Sequence, residues 1–224
     1  QQDIIKHFRG VKAKPRTPVA KPYRVSHGRD VRLKFKEVEQ VQLGVGMRAF
    51  SYTDKRLPAL NVLATILGGN MSSRLFIQVR ERRGLAYSVH ASLSPYEDTG
   101  SFMVQAGLEK SRVPEALKVI MAELKKMKTT KVGPAELKRT KEFIRGNMIL
   151  SLEDSDSIAS WYGRQALFYP KIESPEKALE KIMKVTAADI RAVAKQLFRP
   201  ANMRLAIIGP FQKEAEFRSI LKTV

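Results

Sequence analysis

The feature that most constrains this chain is a change of period in its middle. The stretch from Leu67 to Leu93 reads as loop, helix, stop and strand. Gly68 and Gly69 break a preceding apolar helix. Asn70, Ser72 or Ser73 is placed to cap the next one, because a short polar side chain accepts from the free first-turn N–H groups. Met71, Leu75, Phe76 and Val79 then fall on one side of that helix. Arg82 and Arg83 occupy its last turn, facing the negative end of the helix dipole. Gly84 ends it, since a residue without a Cβ enters the left-handed region at no steric cost. From Leu85 the period is two. Leu85, Tyr87, Val89, Ala91 and Leu93 share one side, and Ala86, Ser88, His90 and Ser92 the other.

Elsewhere the same two periods alternate. Val31, Leu33 and Phe35, then Val41, Leu43, Val45 and Met47, read as half-buried strands. Leu57 to Leu67 is an apolar helix with Pro58 in its first turn. Phe102, Val104, Ala106 and Leu108 form the returning strand of a hairpin. Several helices follow without an intervening strand. Val113, Ala116, Leu117, Ile120, Met121 and Leu124 make a stripe that must face a sheet or another helix. Gly133-Pro134 opens a helix with Leu137, Phe143, Ile144 and Met148. Ser157–Phe168 is rich in aromatics, Ser174 caps a helix with Pro175 at its start, and Thr186 with Asp189 resembles a capping box. Met203–Ile208 is a last strand, and a last helix follows from Lys213 to Leu221. This order predicts an α+β fold: an antiparallel or mixed sheet of about five or six strands, with helices packed on it.

The N-terminal region reads differently. Residues 3–8 look like the end of a helix. Pro15, Pro18 and Pro22 then fall among Arg9, Lys12, Lys14, Arg16 and Lys21, a density of proline that favours extended linker. The expected division is therefore 1–23, the end of a preceding unit and a linker, and 24–224, one folded domain.

The formal charge of +19 invites a nucleic-acid reading. Its distribution weakens that reading. Residues 1–36 hold eleven Lys and Arg against Asp3 and Asp30, and the remaining cations are interspersed with Glu along helices, as on solvated faces. No zinc-finger spacing or RNP motif is present. The chain has no cysteine, which excludes disulfides, thiolate metal sites and a cysteine nucleophile. No apolar run reaches the length of a membrane span, and no signal-peptide core is visible. The compartment stays open, with the cytoplasm slightly favoured.

Most chemistry can be searched for and set aside. His7, His27 and His90 are the only histidines, and none has a partner at the H-E-x-x-H or H-x-x-E-H spacing. His90, among serines on a strand, reads as a surface or hydrogen-bonded side chain. Gly68-Gly69 lacks the Lys-Ser/Thr of a phosphate loop. Glu153, Asp154 and Asp156 fall between two helices, where carboxylates serve as caps. Two residues are left. Arg80 lies at the edge of the apolar stripe of its helix, and Tyr87, seven residues on, lies near the start of the next strand. A fixed cation beside a phenol suits a peptide carbonyl or a developing oxyanion. The alternative is a solvated helix arginine and a core tyrosine with a wet tip.

Leu67-Gly-Gly-Asn-Met-Ser-Ser-Arg-Leu-Phe and Val79-Arg-Glu-Arg-Arg-Gly-Leu-Ala-Tyr-Ser-Val resemble the C-terminal half of insulinase-type (pitrilysin-type) zinc metallopeptidases, the group that includes the mitochondrial processing peptidase and its bacterial relatives. Pro134-Ala-Glu-Leu-Lys-Arg-Thr-Lys, Val185-Thr-Ala-Ala-Asp-Ile and Leu205-Ala-Ile-Ile-Gly-Pro agree, so the resemblance spans roughly residues 30–211. It implies a two-half clamshell. The first half carries H-x-x-E-H and a distal Glu, which hold zinc and activate water. The second half lacks the metal and supplies an Arg and a Tyr that reach the substrate, here Arg80 and Tyr87.

On that resemblance the chain is the substrate-binding, non-metal-binding half of a zinc metallopeptidase and inactive alone. It has no metal ligands, and zinc is expected in a missing N-terminal half or partner chain. Its expected partners are that half and an extended peptide. The rival readings are a non-catalytic scaffold or core subunit of the same fold and, with less support, a basic nucleic-acid-binding module.

Overall fold

A computed structural model describes residues 2–12 and 31–224. The expected domain boundary, and most of the proline-rich linker, lie outside the described residues. The short helix expected before the linker is present as α1 (Gln2–Phe8), exposed along its whole length.

The sheet is built from five strands: β1 (Val31–Phe35), β2 (Gln40–Ala49), β3 (Ala86–Pro95), β4 (Gly100–Glu109) and β5 (Met203–Gly209). Their spatial order is β1-β5-β2-β4-β3. β5, last in sequence, inserts between the first two, parallel to β1 and antiparallel to β2. β2 pairs antiparallel with β4, and β4 with β3 as the expected hairpin. The sheet is therefore mixed, as the sequence predicts.

Helices cover one face of it. These are α2 (Leu57–Gly68), α3 (Val113–Thr129), α4 (Pro134–Ser151), α5 (Ser155–Phe168), α6 (Pro175–Lys184), α7 (Ala187–Leu197) and α8 (Ala215–Leu221). The core forms where the inward residues of the strands meet the apolar stripes. Leu43, Val45, Val104 and Leu205 are buried from the sheet side, and Leu60, Leu63, Leu117, Ile120 and Ile190 from the helix side. Each such side chain contributes roughly 1.5–3 kcal/mol through its burial. α2 packs on β3 and α7, and α3 packs on α7 and α8.

The expected caps are in place. Ser174 Oγ accepts from the Lys177 N–H, and Thr186 and Asp189 form the reciprocal capping box at the start of α7. Asp154 caps α5 by accepting from the Ser157 N–H, so that acidic cluster holds a helix end, as expected.

α2 ends at the glycine pair, as expected, with Gly68 its last residue and Gly69 its C-cap. A Cβ at Gly68 would lie 2.3 Å from the Ala91 backbone nitrogen. Glycine stands here because α2 presses its last residue directly on the β3 backbone.

Candidate functional site

The stretch from Asn70 to Tyr87 departs from a regular helix followed by a regular strand. None of the three expected candidates caps the helical turns: the Asn70 side-chain oxygen accepts from the Ser72 N–H at 2.8 Å, within the turn that precedes them. Ser73 does not cap: its hydroxyl is buried, with no hydrogen-bond partner among the described residues. Met71, expected on the apolar stripe, is 75% exposed because it precedes the helical turns. Those turns are short. Residues 74–75 are α-helical, and Phe76–Glu81 forms a π-helical turn. Leu75 and Val79 are fully buried beneath it.

Two features pin this turn. Arg74, at its start, makes a bidentate ion pair with Glu136 in the first turn of α4. Nε donates to Oε1 at 2.8 Å and Nη2 to Oε2 at 2.7 Å. The hydrogen bonds that Arg74 donates to Glu136 hold its guanidinium above its ordinary pKa. At the other end, Gly84 has φ +58°, the left-handed conformation expected of it. Its N–H donates to Arg80 O at 2.9 Å, and the Leu85 N–H donates to Val79 O at 2.8 Å. Arg83 donates from Nη1 to Gln78 O at 2.7 Å, satisfying one of the turn's last carbonyls.

Arg80 projects from the last part of the turn and is exposed. Its guanidinium lies over the Phe76 ring, 4.9 Å from the centroid, a cation–π contact that restricts the side chain without neutralising it. Arg80 has no carboxylate partner among the described residues.

Tyr87 owes its position to a β-bulge. Ala86 pairs with Leu108 and Ser88 pairs with Gly107, so Tyr87 is the extra residue between two consecutive residues of β4. An extra residue shifts the alternation that follows it. Leu85 and Ala86 are both buried, Val89 is buried again, and Tyr87 is 62% exposed. Strict alternation would have set Tyr87 with Leu85 and Val89 in the core. The bulge removes the core-tyrosine alternative, and no period-based reading of the sequence could have found it.

His90 is exposed and its Nε2 lies 2.9 Å from Gln105 Oε1, the surface role expected for it. His7 Nδ1 lies 2.8 Å from Asp3 O. No group of three or more His, Cys, Asp or Glu among the described residues could hold a metal ion. The described residues therefore do not fit a zinc centre. No helix among them is long and apolar enough to cross a membrane.

An α+β domain, one face of its mixed sheet packed by helices and the other open, with an exposed tyrosine on the edge strand β3 and an exposed arginine on the turn before it, is the class this geometry defines. Comparison with known proteins agrees. Residues 2–144 match the family described as Peptidase M16 inactive domain. An uncharacterized zinc protease of Streptomyces coelicolor is 36% identical over 92% of this chain and 45% of its own length. One from Bacillus subtilis is 34% identical over 78% of this chain and 42% of its own. Among solved structures, a protease from Helicobacter pylori superposes with a TM-score of 0.82 at 23% identity, covering 92% of this chain and 50% of that one. A peptidase M16 inactive domain from Pseudomonas fluorescens gives 0.75 at 20% identity, covering 81% of this chain and 44% of that one. The chain belongs to the M16 peptidase family and matches its inactive domain. It spans about half the length of the curated relatives it matches.

Proposed function

We propose that this chain is the substrate-binding half of a zinc metallopeptidase and that Arg80 and Tyr87 are its working residues. The observation that carries the reading is the bulge, which leaves the phenol exposed seven residues beyond an exposed guanidinium with no carboxylate partner among the described residues. In this reading both side chains meet a peptide laid along the site. The Arg80 guanidinium donates to a backbone carbonyl of the substrate. The Tyr87 hydroxyl donates to the oxygen of the scissile carbonyl, where negative charge develops. Metal chemistry is assigned to an N-terminal half, in the same polypeptide or in a partner subunit. The names of the relatives and the half-length coverage support that assignment. This chain alone is expected to be inactive.

The test combines the chain with that half and compares the parent with Tyr87→Phe. Loss of one donor to a developing oxyanion lowers kcat by about 10²–10³, while KM changes little. A kcat within twofold of the parent would remove the transition-state role. If Arg80→Gln were also without effect, the non-catalytic scaffold of the same fold would become the better reading.

A further inference from the structure

The sheet has a second face, and the pairings lay it out row by row. One row runs Arg32, Ala206, Gly44, Gln105, His90 from β1 to β3. The next begins at Lys34 and ends at Ser88, the residue after Tyr87. Arg204 and Arg48 head the rows beyond the first, on the other side. These residues alternate with the buried ones, and their exposed or half-buried state marks the face as uncovered.

Three properties of the face point to a ligand. It is cationic: Arg32, Lys34, Arg48 and Arg204 lie in these rows, which hold no carboxylate; Glu109 follows one row on, opposite Gln40. None of the four has a carboxylate partner among the described residues. Arg48 Nε donates to Thr99 Oγ1 at 2.9 Å, and Arg204 Nη1 donates to Met203 O at 2.7 Å, so both are oriented without being neutralised. Part of the middle of the face is low: Gly46 and Ala206 carry almost no side chain, which lets another backbone approach there, while the Met103 side chain comes within 3.5 Å of the Cβ position of Gly44 and Ile208 stands exposed in the next row. Gln42 and Gln105 offer both donors and acceptors, as a peptide backbone requires. The rows hold no Phe, Tyr or Trp ring on which bases could stack, and the His90 ring is held by Gln105.

We propose that this open face docks an acidic, extended polypeptide, with carboxylates of the peptide meeting Arg32, Lys34 and Arg204. The proposal rests on the substrate-binding reading above and adds the substrate's charge class. Ser88 joins the face to Tyr87, so a peptide held at the Arg80–Tyr87 site has this surface beside it for its flanking residues.

The test is fluorescence anisotropy of the 224-residue chain with labelled peptides of one length that carry Glu, Gln or Lys at the same positions, and with single-stranded DNA. The Glu peptide is expected to bind about tenfold more tightly than the Gln peptide at low salt, from three exposed charge pairs. Added salt should erase the difference. The triple variant Arg32→Gln, Lys34→Gln, Arg204→Gln should abolish the preference while far-UV circular dichroism stays unchanged. Removing three cations from the helical side, with Lys118→Gln, Lys138→Gln and Lys177→Gln, should leave it intact. Equal affinity for Glu and Gln peptides overturns the proposal. So does an equal loss in both triple variants, which would reduce the effect to net charge. Tighter binding of the DNA also overturns it, in favour of a nucleic-acid partner. The two readings fail separately. An inert Tyr87→Phe with the charge preference retained sinks the catalytic role and leaves the docking face standing; the converse pattern sinks the face alone.

Discussion

Gly68→Ala is a demanding test of how the site is held, because the structure specifies what the added methyl meets. An ideal Cβ at Gly68 lies 2.3 Å from the Ala91 nitrogen, 2.8 Å from the His90 carbonyl carbon and 2.9 Å from the Ala91 Cβ. A relaxed carbon contact is about 3.5–4.0 Å, so α2 and β3 must part by more than an ångström. Two of the three obstructing atoms are backbone atoms of a strand held by β4, where His90 pairs with Gln105 and Ala91 with Val104. No side chain can swing aside to make room. Overpacking of this kind costs about 1–3 kcal/mol, and the better helix propensity of alanine returns less than about 1 kcal/mol. The expected net loss is about 2 kcal/mol. Urea denaturation followed by circular dichroism is the assay. With m in the range of about 1–3 kcal/mol per molar, the midpoint should fall by roughly 1 M at unchanged m. Gly146→Ala is the internal control. It lies inside α4 with nothing within 4 Å of its Cβ position, so it should stabilise by about 0.5–1 kcal/mol. A Gly68→Ala midpoint equal to or above the parent's would refute the close-approach argument.

Two further outcomes can be measured on the same chain. Arg74→Met and Glu136→Gln each break the bidentate pair between the π-helical turn and α4. Each should lower stability by about 1.5–3 kcal/mol, and the double variant should cost less than the sum, which a double-mutant cycle reads directly. Acid should destabilise through depressed carboxylates. The side-chain hydrogen bond from Arg56 lowers Asp54, and that from Thr186 lowers Asp189. Groups of this kind add stability above their unfolded pKa and lose it as pH falls through the folded value. Thermal midpoints should therefore decline below about pH 4, and Asp54→Asn should make that decline shallower.

The elements most legible in the sequence were those in which one local rule acts alone. The inward residues of β2 and β4 alternate cleanly, and both strands lie where the period places them. The helix boundaries at Ser174 and Thr186 follow from caps that bond within a few residues, and that at Gly133 from Pro134 in the first turn. Legibility fails where distant packing overrides the local rule. The π-helical turn at Phe76–Glu81 lies between Leu75 and Val79, both buried, and the Arg74–Glu136 pair; no periodicity encodes it. The bulge at Tyr87 depends on the register of β4. The parallel partnership of β1 and β5 joins segments that no local pattern relates. Position singled out Arg80 and Tyr87, the resemblance proposed a joint role for them, and the exposure of Tyr87 emerged only in the fold, through the register of β4.

The insertion of β5 also bears on how the chain is made on the ribosome. Until residues 203–209 emerge, β1 has no neighbour to pair with and β2 has one open flank. Domains generally fold as units during synthesis. A nascent chain halted before Met203 would therefore present two hydrogen-bonding edges, with the β2–β4–β3 ribbon and most helices already translated. Such an intermediate has edges open to pairing with other chains, and among the five strands it makes β5 the latch on which completion of the sheet waits.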